Sequence, residues 1–132
     1  MKRSMILVAL VLAGAAGTVA GAKSTQTDPN ALPSNACFRL DDIQSSVQVS
    51  ETQLNILTRD RHYIRVDTAG HCFYPPFTDA YVVRSHGPDL VCSPIDLDLS
   101  AGPPGFKTPC IVQKLTLLTP TQAAALPKGQ KP

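Results

Sequence analysis

Four cysteines, three histidines and ten acidic residues are the side chains that could do chemistry in this chain, and their spacing decides which kind. Cys37, Cys72, Cys92 and Cys110 stand far apart, with no C-x-x-C pair of the sort that holds zinc. Only His71 and Cys72 are neighbours, and adjacent residues rarely ligate one ion together, so no metal and no cofactor is expected. An even number of cysteines in a small exported chain reads instead as two disulfides. The nested pairing, Cys72 with Cys92 and Cys37 with Cys110, is the preferred expectation; Cys37–Cys72 with Cys92–Cys110 is its main rival.

The carboxylates invite sharper readings that the pattern does not favour. Asp41-Asp42 reads as a solvated pair or strand-end cap before it reads as an acid/base or calcium site. Asp96 and Asp98, two residues apart on an alternating strand, share a face and are expected to be solvated. Arg59, Arg61 and Arg65 cluster near one turn, where guanidinium groups could fork onto phosphate or carboxylate; with Asp60 and Asp67 interleaved they read as a solvated sheet edge. His62 shares its strand face with Ile64 and Val66 and is expected to pack. No nucleophile elbow, zinc-protease, phosphate-loop or dinucleotide motif occurs. No catalytic residue is nominated, and binding is preferred over catalysis.

The best surface candidate is the loop 70–77, AGHCFYPPF in its context, together with the turn 85–89. Phe73, Tyr74 and Phe77 supply apolar area with little entropy to lose, Pro75-Pro76 stiffen the loop, and His71 and His86 add polar tips. The competing reading is that these aromatics close one end of a small core beside a disulfide.

The elements that must position these residues are strands. In the stretch 54–72, Leu54 and Ile56 alternate with Asn55, and after the break at Arg59-Asp60-Arg61, Ile64 and Val66 alternate with Tyr63, Arg65 and Asp67, which is a half-buried hairpin. Short strands are predicted at residues 37–40, 47–49, 81–84 and 90–92. Another is predicted where Ile95, Leu97 and Leu99 alternate with Asp96, Asp98 and Ser100, and a long final one at 110–118. Thr119 and Gln122 fit a capping box, Pro120 suits the first helical position, and a turn or two of helix follows that must dock on the sheet or fray. The expected fold class is all-β or β-rich α+β, a small open barrel or sandwich of about six strands with a short C-terminal helix.

The first 22 residues read as a secretory signal peptide: a basic start at Lys2-Arg3, an apolar run from Met5, and small residues at Ala20-Gly21-Ala22. The apolar run is too short and too rich in alanine and glycine to favour a retained anchor, so no stable membrane span is expected after cleavage. The remainder divides into a flexible leader at 23–36, a disulfide-stapled β domain at 37–126 and a polar tail at 127–132. Taking Lys2 and Arg3 from the twelve basic residues leaves them equal to the ten acidic ones, so the exported part has no bulk charge with which to seek nucleic acid.

The C-F-R-L-x-D-I opening at residue 37, Gly70-His71-Cys72 after a hairpin, Leu90-Val91-Cys92-Ser93, and Cys110-Ile111-Val112 with the closing L-T-P-T-Q-A-A-A-L resemble an uncharacterised family of small exported bacterial proteins with four cysteines and a domain of unknown function. The resemblance spans residues 37 to about 126 and rests on structural motifs. It implies a periplasmic location and a shared cysteine framework, and it transfers no activity. The expectation is a secreted, non-enzymatic binding or envelope-associated module whose partner is a protein or envelope component. An inhibitor of a secreted hydrolase, or a small hydrolase built on a histidine and a carboxylate, is the alternative.

Overall fold

The computed structural model describes residues 28–76, 80–87 and 89–132. The signal-peptide reading at 1–22, the start of the leader and Phe77 lie outside the described residues. The strands are β1 (Phe38–Arg39), β2 (Ile43–Ser50), β3 (Gln53–Thr58), β4 (Tyr63–Ala69), β5 (Tyr81–Ser85), β6 (Leu90–Val91), β7 (Leu97–Ala101) and β8 (Thr108–Leu117), followed by helix α1 (Pro120–Ala124). Six of them form one antiparallel sheet in the order β2-β3-β4-β8-β7-β5, and β1 pairs with β6 in a separate two-stranded ribbon. The sheet curls into a half-barrel. Its outer strands approach one another closely enough for the Ser46 hydroxyl on β2 and the Tyr81 hydroxyl on β5 to share a hydrogen bond. The fold is therefore β-rich with one short C-terminal helix, as the alternation and the late capping box predict.

The hairpin β3–β4 forms as its alternation dictates. Leu54 faces Val66 and Ile56 faces Ile64 across the ladder, and all four are fully buried. Each such side chain contributes about 1.5–3 kcal/mol relative to exposure. Leu99, Leu115 and Phe73 complete a core that fills the concave face of the sheet. Thr58 closes the connecting turn: its amide donates to the His62 carbonyl (3.0 Å), its carbonyl accepts from the Arg61 amide (2.9 Å), and its hydroxyl accepts from the His62 amide (3.2 Å). Arg65, expected on a solvated edge, instead lies on a central strand between β3 and β8 and is half-buried.

The disulfides are Cys37–Cys92 and Cys72–Cys110, which corrects both the nested expectation and its rival. Strand pairing is the cause. The β1–β6 ribbon sets Phe38 against Val91 and so brings Cys37 to Cys92, while the β4–β8 ladder sets Ala69 against Ile111 and delivers Cys72 to Cys110. The two crosslinks interleave in sequence.

Three further expectations are corrected. The leader is not free at its C-terminal end: Leu32 and Ala36 are core residues, Leu32 donates its amide to the Cys92 carbonyl (2.7 Å), and the Asn30 carbonyl accepts from Leu115 (2.9 Å). The tail 127–132 is also docked, its Gln130 carbonyl accepting from the Asn55 amide side chain (2.9 Å) on β3. Ile95 does not share the buried face of Leu97 and Leu99; it is 82% exposed, because Pro94–Asp96 forms a 3₁₀ turn and the strand starts only at Leu97. That turn changes the role of Asp96. Burial raises its carboxyl pKa, but amide donation from Ser93 (2.8 Å) and Cys92 (3.0 Å) and the Ser93 hydroxyl (3.1 Å) outweigh this and hold it below the ordinary aspartate value.

Three outcomes are expected. Peptide mapping without reduction should recover Cys37–Cys92 and Cys72–Cys110. Reduction should lower the urea midpoint sharply, since closing loops of 55 and 38 residues is worth about 4 kcal/mol each in the loop-entropy model; an unchanged midpoint would contradict the role given to the crosslinks. Asp96→Asn, which takes the charge from an acceptor of three hydrogen bonds, should lower stability at neutral pH. Because the folded carboxyl is depressed, its pH-dependent stabilisation is present above the ordinary aspartate value of about 4 and is lost as pH falls through the folded value. The gap between wild type and variant should therefore narrow in acid, and urea titrations at neutral and acid pH check it; a gap that widens in acid would be the wrong sign.

Candidate functional site

Of the surface expected from the sequence, the fold buries Phe73 and leaves His71, Tyr74 and His86 exposed. Phe73 is 1% exposed and packs edge-on against Tyr81, with ring centroids 6.1 Å apart, so it is a core residue and not part of a recognition patch. Its amide, with that of Cys72, donates to the Glu51 carbonyl, which turns the loop inward over the β2–β3 turn. Tyr74 stays 57% exposed, and Pro75 and Pro76 follow it with a cis peptide between them. His86 is exposed, and its backbone amide donates to the Asp96 carbonyl. His71 Nδ1 meets the Glu51 carboxylate, a histidine–carboxylate pair open to solvent on both sides. Beside it, His71, Tyr74 and the Cys72–Cys110 crosslink line a concavity of about 120 Å³.

A larger depression lies at the other end of the hairpin. Arg61, His62 and Tyr63 at the start of β4, Leu117 to Pro120 at the exit of β8, Ala123 and Ala124 on α1, and Lys131 enclose a groove of about 520 Å³. That volume falls in the range of small-molecule sites, roughly 300–1,000 Å³. The groove exists because the chain reverses where β8 ends. Leu118 donates its amide to the Tyr63 carbonyl (2.8 Å), extending the β4–β8 ladder by one bond. Thr119 then starts the helix: its hydroxyl accepts from the Gln122 amide (3.2 Å) and its own amide donates to Gln122 Oε1 (2.8 Å). This reciprocal cap starts α1 directly after β8, and Leu118, Ala123 and Leu126 are buried apart from the main core.

The groove combines an apolar floor with a cationic mouth. Leu118 and Ala123 are buried in its floor, and Leu117 is half-buried. Arg61 and Lys131 are exposed at its mouth, and among the described residues neither makes an ion pair. No carboxylate lines it. Arg61 has φ = 62°, the left-handed region that arginine seldom enters. Among the described residues, no group of three or more His, Cys, Asp or Glu side chains stands close enough to hold a metal ion.

The sequence reading singled out Arg61 and His62 but gave them a solvated and a packed role, and it named none of the apolar lining. The available signal was the capping box: a helix too short to stand alone must dock, and an alanine-rich one leaves space beside it. No protein-family model, curated protein or solved structure matches this chain.

Proposed function

We propose that this chain is a small, non-enzymatic binding module that holds a compact apolar ligand in the groove between the β3–β4 turn, the exit of β8 and α1. The observation that carries the reading is the groove itself, whose volume and apolar floor suit a small molecule. The core supports this placement: the concave face of the half-barrel is filled by its own side chains, which leaves ligand space at the end of the sheet. Two disulfides point to an oxidising compartment, and among the described residues no helix is long and apolar enough to cross a membrane. With the signal-peptide pattern and the resemblance to exported bacterial proteins, these features support a periplasmic, envelope-associated role.

A small hydrolase would draw on the His71–Glu51 pair. Its neighbouring concavity of about 120 Å³ is well below the volumes that substrate sites occupy, so we place binding ahead of catalysis.

The test uses the neutral dye N-phenyl-1-naphthylamine with the disulfide-intact protein. Saturable fluorescence enhancement is expected, with Kd on the order of 0.2 mM if about 17 heavy atoms contribute roughly 0.3 kcal/mol each. Ala124→Trp, at an exposed helical position lining the groove, should abolish it without altering the melt. Dye binding that survives this substitution would remove the groove from the account.

A further inference from the structure

We propose that the groove selects an amphiphilic carboxylic acid, with its apolar body on Leu117, Leu118 and Ala123 and its carboxylate at Arg61 and Lys131. The inference rests on the binding role given above and adds the chemical class of the ligand. Charge complementarity carries it. Two exposed cations line a depression whose lining includes no acid, and among the described residues neither makes an ion pair elsewhere. An apolar cation would meet repulsion there. A neutral apolar ligand would leave both charges unused, while an acid satisfies the floor and the mouth together.

The backbone at Arg61 points the same way. Its positive φ is a conformation that glycine or asparagine adopts more easily, and its amide already serves the turn by donating to the Thr58 carbonyl. The turn therefore has no need of an arginine side chain. Replacing it with asparagine should keep or improve the fold while removing one charge from the groove, so structure and ligand recognition are separable at this position.

The experiment measures displacement of N-phenyl-1-naphthylamine by octanoate, octanol and octylamine at fixed ionic strength, for wild type and for the double variant Arg61→Asn/Lys131→Gln. Wild type should bind octanoate about tenfold more tightly than octanol, as two exposed ion pairs of ordinary strength would give, and octylamine least well. The double variant should melt no lower and hold octanoate and octanol equally. Equal binding of the two by wild type overturns the inference, as does an octanoate preference that persists in the double variant. A peptide ending in leucine that displaces the dye better than octanoate would give the groove to a protein terminus and overturn it too. So would a dimer that Ala124→Trp dissociates, since the occupant would then be a second copy. Failure of the dye to bind at all sinks the binding role itself, whereas dye binding without acid selectivity sinks only the ligand class.

Discussion

The pairing of β8 on both of its edges is the constraint on which the molecule depends. Its N-terminal part pairs with β7, placing Leu99 opposite Cys110, and its C-terminal part pairs with β4, placing Ile64 opposite Leu117. Without it the β2–β3–β4 meander and the β7–β5 pair would be separate pieces, and the two-stranded piece would be marginal on its own. With it, Leu115 joins Val66 across the ladder and the two halves share one core. The cost is a set of contacts between residues far apart in sequence, whose loop-closure entropy must be met before packing rewards it. The crosslinks bear on that cost, since Cys72–Cys110 lies just beyond the β4–β8 ladder and Cys37–Cys92 holds the β1–β6 ribbon.

The same strand shapes the larger of the two concavities described, which opens where β8 runs out and the chain turns into α1. The segment after the helix returns over the convex face of β3, where the buried Asn55 donates to the Gln130 carbonyl. Opposite Asn55 in the ladder is Arg65. Asn55 Oδ1 and Arg65 Nε are both buried without a hydrogen-bond partner, an acceptor and a donor left unmatched beneath the returning segment. Such groups cost about 1–3 kcal/mol each.

How much of this was legible in the sequence follows from the range of the interactions. The hairpin was, because Leu54, Ile56, Ile64 and Val66 alternate locally; the capped helix was, because Thr119 and Gln122 stand three residues apart. The disulfide partners were not, because Cys37–Cys92 follows from the pairing of two-residue strands and Cys72–Cys110 from the pairing of β4 with the distant β8, neither of which periodicity reveals. Ile95 misled because a 3₁₀ turn and a strand can continue one alternation in the sequence while pointing the side chain elsewhere. Phe73 misled because a Pro-Pro neighbour reads as surface loop, whereas the bonds from Cys72 and Phe73 to Glu51 turn the aromatic ring inward. The groove was least visible, since its walls come from residues 61–63, 117–124 and 131, brought together only when β8 pairs with β4.

The proposed ligand surface lies at the exit of β8 and not at the loop 70–76. Amide chemical-shift mapping of the disulfide-intact protein during titration with octanoate tests it most directly. The account predicts saturable shifts at Arg61, His62, Tyr63, Leu117, Leu118, Ala124 and Lys131, with His71, Tyr74 and His86 unmoved. Shifts confined to His71, Tyr74 and His86, or scattered without saturation over the exposed side chains Ile95, Phe106 and Ile111, would contradict it.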